Sequence, residues 1–274
     1  MSKTPEATPP SPQYRAWQRS ERVAGLAVRV AHMCIMIAML ALWEVLPRAQ
    51  IVNPMLTSYP SALWPTFLSM LNGTPRQASI LVHTWSTIQA VVCGFVLSML
   101  IGTLIAAALW WWDGLRRGLD PYLVIANAMP KIAFVPILYI WFGPSLSIYA
   151  MSLSIYLFVT ILTLYSGFQG IDTNKIKLVR SFGATKWQLL TKVVLPGSVP
   201  TMFATLKVNV GLSLVGVVVG EFQSASFGLG YLIQYGSQFF ATNIVMTAIV
   251  ILAGLSALMY FAIAKFETLV IRRR

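Results

Sequence analysis

The chain has 274 residues, of which 57% are hydrophobic and only 10% charged, with a formal net charge of +12 and a mean hydropathy of +0.71. Soluble domains carry about 25% charged residues, so the composition excludes an ordinary soluble protein and predicts one that crosses a membrane several times. The lysines and arginines fall in short clusters between apolar runs, the pattern of cytoplasmic membrane loops rather than of a nucleic-acid surface, so no nucleic-acid partner is expected.

Residues 1–22 contain Pro5, Pro9, Pro10 and Pro12 among polar residues and read as a disordered tail. They lack the basic start and short apolar core of a signal peptide. A first apolar run, about 27–46, ends at Pro47. Roughly 20 helical residues span the hydrocarbon core. Arg29 and His32 lie near its start, within reach of the interface. The punctuated stretch that follows holds one short interfacial helix over 61–71, with Trp64 at headgroup level.

A second span, about 84–112, ends in Trp110, Trp111 and Trp112 before Asp113, Arg116 and Arg117. Gly94, Ser98, Gly102 and Ala106 recur every four residues along it, a stripe that suits close helix packing. The third span, about 121–142, is interrupted by Pro130 and Pro136 and carries Lys131. The fourth covers about 145–168, the fifth 201–221 and the sixth 243–264, with a charge-free, glycine-rich segment over 223–240. Cys34 and Cys93 sit in apolar runs, and neither they nor His32 and His83 show metal-ligand spacing, so no metal or cofactor is expected.

Basic residues decide the orientation. Lys3, Arg15, Arg19 and Arg22, then Arg116 and Arg117, then Lys175, Lys177, Arg180, Lys186 and Lys192 fall on one side, against Arg48 and Arg76 on the other. The expectation is six transmembrane helices with both termini in the cytoplasm.

That places residues 172–200 in the cytoplasm. Thr185 and Gln188 have capping-box spacing, Gly183 suits the end of an earlier short helix, and Pro196 is expected to stop the later one. Ile176, Val179 and Phe182, then Trp187, Leu190 and Val194, recur at spacings of three and four and form apolar faces that suit a protein groove. Some of them could instead fold back on the membrane helices, and anionic lipid headgroups are the plainer partner for the basic residues.

Gly183, followed by nine residues and then Val193-Val194-Leu195-Pro196, resembles the cytoplasmic loop of the membrane subunits of binding-protein-dependent ABC importers. The family writes Glu-Ala-Ala where this chain has Lys177-Leu178-Val179. Residues 83–95, 129–143, 217–222 and 227–233 are similar, in order and spacing, to the nitrate, sulfonate, taurine and thiamine-precursor branch of these permeases. The resemblance implies an all-α type I importer fold over residues 23–274 in a cell inner membrane. It implies three partners: a separate ABC ATPase subunit, a soluble periplasmic or surface binding protein, and a second permease copy. ATPase coupling then falls to Lys177, Leu178, Val179, Gly183, Ala184, Trp187, Leu195 and Pro196. No catalytic residue is expected, because the chain has no phosphate-binding glycine loop followed by Lys-Ser or Lys-Thr.

Two groups within the spans are candidates for a translocation path or gate. Lys131, near the middle of its span, either attracts an anionic solute or bonds carbonyls that Pro130 and Pro136 leave without donors. Asn209, Ser213, Gly216 and Gly220 share one face of the fifth span, which either lines a path or packs against a neighbour. Glu221 ends that span and is read as part of an outer gate with the glycines after it. An ion-gradient-driven secondary transporter is the competing class, but it predicts more paired intramembrane charges and an internal repeat.

Overall fold

The computed structural model describes residues 11–73, 78–224 and 226–271. Every regular element among them is helical. The chain divides into two compact units, residues 1–62 and 63–274.

In the first unit α1 (Pro12–Arg48) opens on Ser11, whose side chain accepts the Tyr14 N–H at 3.2 Å, with Pro12 in the first turn. This corrects the expectation of disorder for 12–22; residues 1–10 lie outside the described residues. The reason is local: proline is compatible with a first helical turn, and serine is a favoured cap. At the other end of α1, Glu44 pairs with Arg48 at 2.6 Å and accepts from the Ser61 N–H and hydroxyl. The Trp43 indole N–H donates to the Thr57 carbonyl of α2 (Pro54–Thr57). The short helix expected over 61–71 is α3 (Pro60–Leu71).

In the second unit α4 (Ile80–Trp111), α6 (Val135–Gln169) and α10 (Val199–Ser224) meet along their small residues. A Cβ on Gly94 would lie 2.3 Å from the Ser152 hydroxyl oxygen, and one on Gly216 2.7 Å from the Ser152 Cα. Gly102 faces Thr160 in the same way. The stripe on α4 is thus a packing face, as its spacing predicts. Gly94 beside Ser152 and Gly102 beside Thr160 make α4 and α6 parallel, whereas Gly216 beside Ser152 and Asn209 beside Thr160 make α10 antiparallel to both. Phe203 meeting Phe266 at a ring-centre distance of 5.9 Å, with Leu214 and Leu255 in one core cluster, makes α12 (Thr242–Ile271) antiparallel to α10.

Two parallel helices in sequence require the chain between them to return. Trp111 and the level of Ser145 on α6 are separated by roughly 36 Å along the bundle at 1.5 Å per residue. The return is made by α5 (Asp113–Ala128), a 3₁₀ turn (Lys131–Phe134) and the first two turns of α6. The third span, expected over 121–142 with interruptions at Pro130 and Pro136, is broken at Pro130, whereas Pro136 sits in the first turn of α6 and does not interrupt it. Met129 is extended because the following Pro130 disfavours helical backbone, and α6 kinks at Gly143, whose φ is +71°. Among the described residues, five helices are long and apolar enough to cross a membrane: Val23–Arg48, Ile80–Trp111, Lys131–Gln169, Val199–Gln223 and Thr242–Val270.

Candidate functional site

Residues 172–200 build one end of the second unit. Asp172 caps α7 (Thr173–Ser181) through the Asn174 N–H at 2.8 Å, and Gly183 turns the chain with φ +81°, a left-handed conformation that favours glycine. Thr185 and Gln188 form the reciprocal capping box at the start of α8 (Lys186–Leu189). The later helix does not stop at Pro196. It widens into a π turn (Leu190–Val194), where the Leu195 N–H bonds back to the Leu190 carbonyl, and then runs through α9 (Leu195–Gly197). Proline has no N–H to give the preceding turn, and it sits here at the first turn of α9, where none is needed.

The two faces of this segment have separate fates. Leu189, Leu190 and Val194 are buried, the last two in a cluster with Ala106, Leu109, Leu164 and Phe168 from α4 and α6. Leu178 is 58% exposed, Phe182 81% and Trp187 63%, which leaves these three as the outward apolar groups. Lys177 and Gly183 are exposed, while Val179, Ala184, Leu195 and Pro196 are half-buried. Lys186 donates to the Trp111 carbonyl and lies 5.5 Å from the Trp111 ring centre, and the Trp111 and Trp187 rings meet at 6.2 Å. The inner face is locked to the span ends and the outer face is free for a partner. Asp113, at the foot of α5, pairs with Arg116 and Arg117 at 2.9 Å, and those guanidiniums hold its carboxyl below its ordinary range.

Within the bundle, Asn209, Ser213, Gly216 and Gly220 face α6. The Asn209 amide donates to the Thr160 hydroxyl at 2.7 Å, which lies 3.1 Å from that of Ser98, and a Cβ on Gly220 would stand 3.0 Å from the Ile148 Cα. Asn209 and Ser213 have no exposed surface. In the single chain this face packs against α6. Lys131 donates to the Asn127 carbonyl at 2.6 Å and reaches that of Met129 at 3.4 Å. Its ammonium caps the orphan carbonyls at the end of α5, where a cation also suits the helix dipole.

The far end holds an arrangement built from three helices. Glu221 is 1% exposed; one carboxylate oxygen accepts from the Thr87 hydroxyl at 2.8 Å and the other from the Gly230 N–H at 2.7 Å. The Thr87 oxygen in turn accepts the Leu229 N–H at 2.8 Å, and His83 Nδ1 accepts the Gly228 N–H at 3.1 Å. Three successive amides at the start of α11 (Leu229–Gln238), which has no cap of its own, are thus capped from α4 and α10. Gly228 has φ +123°, and a Cβ there would fall 2.3 Å from the Glu221 carboxyl carbon. Glu221 and the glycines do come together. His83 and Thr87 were missed from the sequence, where their one signal is a four-residue spacing that puts both on one helix face. Also missed was the ion pair of Lys207 on α10 with Glu267 on α12.

Parallel and antiparallel apolar helices around small-residue contacts, with a helix–glycine–helix segment at one end, define a multi-pass membrane permease. The chain belongs to the family of the binding-protein-dependent transport system inner membrane component, whose model matches residues 94–272. It is 30% identical over 210 residues, 76% of this chain and 86% of the relative, to a protein of Haemophilus influenzae described as a probable ABC transporter permease. It is 28% identical to the formylaminopyrimidine transport permease ThiX of Halalkalibacterium halodurans, over 85% of this chain and 91% of that one. Its fold matches a chain from an inward-facing structure of the MetNI methionine ABC transporter, with a TM-score of 0.60 and 20% identity over 68% of this chain and 93% of that one. It is an inner-membrane transport component.

Proposed function

We propose that this chain is the permease subunit of an ATP-driven importer that carries a small solute handed over by a soluble binding protein. Two copies form the path, and a separate ATPase hydrolyses ATP. The observation that carries this reading is the division of residues 172–200 into a face locked on α4 and α6 and a face presenting Leu178, Phe182 and Trp187. A short helix held rigidly on one side and seated in an ATPase groove on the other transmits closure of the ATPase pair to the spans. Lys177, Val179, Gly183, Ala184, Leu195 and Pro196 shape that seat.

The return of the chain through 113–142 gives six crossings, with the coupling segment and the end of α12 on the cytoplasmic side. Glu221, with the amides of Gly228 to Gly230, then lies at the outer side and latches the gate. Lys131 stabilises the broken third crossing. The solute is of the sulfonate, taurine, nitrate or pyrimidine-precursor type. Reconstitution into liposomes with the cognate ATPase and binding protein tests the reading. Uptake is expected only with ATP inside the ATPase-facing compartment, and uptake that persists without ATP, driven by an ion gradient, would overturn it.

A further inference from the structure

Beside the latch lies a cavity of about 310 Å³, a size in the lower range of small-molecule sites. Ser86 and Gln89 of α4, Ser145 and Tyr149 of α6, and Ser226 and Phe227 of the segment before α11 line it. We propose that this cavity is a solute subsite for a neutral, hydrogen-bonding ring compound of substituted-pyrimidine size, and that His83, Thr87 and Glu221 position one of its walls. The proposal deepens the permease reading and rests on it.

Among the described residues, the side chains of Ser86, Gln89, Ser145, Tyr149 and Ser226 make no hydrogen bond to the rest of the chain. Deeper in the bundle, Ser98 bonds Thr160, the Asn209 amide nitrogen donates to Thr160 and Ser213 donates to the Val210 carbonyl. Five free polar side chains converging at the end of membrane helices suit water and solute rather than acyl chains. Gln89 offers both an amide donor and a carbonyl acceptor, the pair that reads the edge of an aminopyrimidine or a lactam. Tyr149 and Phe227 offer aromatic faces to a flat ring.

The charge argument separates a ring compound from a sulfonate. No residue lining the cavity is charged. The amides at the start of α11, the natural anion site of this region, are already bonded to Glu221, Thr87 and His83. The carboxylate of Glu221 packs against Gly228, directly behind Phe227. An anion entering here loses water and finds neither a counter-charge nor a free amide. A neutral ring loses little and gains the Gln89 amide. Because the three-amide cap fixes Gly228, it also fixes Phe227 and Ser226, which makes His83 and Thr87 positioning residues for the cavity.

Saturation-transfer difference NMR on the full chain in lipid nanodiscs tests this with two probes, 4-amino-5-hydroxymethyl-2-methylpyrimidine and methanesulfonate, against empty discs. The pyrimidine is expected to give a signal at least fivefold above empty discs, and methanesulfonate none. Gln89→Leu, at an exposed position, should abolish the pyrimidine signal without moving the melting temperature, and Gln89→Arg should raise a methanesulfonate signal. Equal signals from the two probes on the native chain, no pyrimidine signal, or a pyrimidine signal unchanged in both Gln89→Leu and Tyr149→Ala would overturn the proposal. The assay contains neither ATP nor ATPase, so such a result leaves ATP-driven import standing, while ATP-independent uptake would overturn that reading and leave these binding data intact.

Discussion

Thr87 does two jobs with one oxygen. It donates to Glu221 and accepts from Leu229, so its loss leaves both a buried carboxylate oxygen and a buried amide without a partner. Each such group costs about 1–3 kcal/mol, and valine, which matches threonine in shape, isolates that cost from any change in packing. Thr87→Val is therefore expected to lower stability by about 3 kcal/mol, read as a drop in the melting temperature of the purified chain, while Thr87→Ser keeps most of it. A Thr87→Val protein that melts with the native one would show that the cap does not hold α11. The pairing of Glu221 with the glycines after it was legible because they are neighbours in sequence. Thr87 and His83 were not, because they stand 134 positions from Glu221 and 145 from Gly228 and carry no charge to draw attention.

Within the coupling segment, legibility follows range in the same way. The capping box and the glycine turn are decided by residues three or four apart, and both stand where the spacing puts them. The split of the apolar set is decided by α4 and α6, which bury Leu190 and Val194 and leave Phe182 and Trp187 out. Periodicity alone cannot divide a set that is periodic throughout. The division makes an element-scale prediction. Phe182→Ala removes the most exposed apolar ring of the segment and touches none of the buried cluster, so it should leave the melting temperature unchanged. If that ring is an anchor in the ATPase groove, its loss costs about 2 kcal/mol, roughly a 30-fold weaker association. Lys177, at the position where the family carries glutamate, refines the same surface. We predict that an ATPase matched to this chain has lost or inverted the complementary charge, so Lys177→Glu is expected to weaken ATP hydrolysis coupled to uptake. Better coupling with the native ATPase would show the charge reading to be wrong.

At the scale of the whole molecule, five helices among the described residues are long and apolar enough to cross a membrane, and the proposed topology adds one more crossing through residues 113–142. Composition made the membrane legible because it is a sum over many residues, and the basic clusters supply an orientation for labelling to test. In the third span the break at Pro130 was legible from the proline, but the turn at Gly143 was not. The proposal of that crossing rests on the parallel register of α4 and α6: residues paired as Gly94 with Ser152 and Gly102 with Thr160 leave Trp112 and Ser145 at opposite ends. Side-specific labelling decides the matter. In a chain with Cys34 and Cys93 replaced, single cysteines at Arg117, Ser145, Ser181 and Phe239 all fall at exposed positions. Six crossings place Ser145→Cys and Phe239→Cys on the outer side, open to an impermeant maleimide in intact cells. Arg117→Cys and Ser181→Cys should react only after permeabilisation. Labelling of Arg117→Cys and Ser145→Cys from the same side would mean that residues 113–142 do not cross, and the coupling segment could then not share a side with Asp113 and its two arginines.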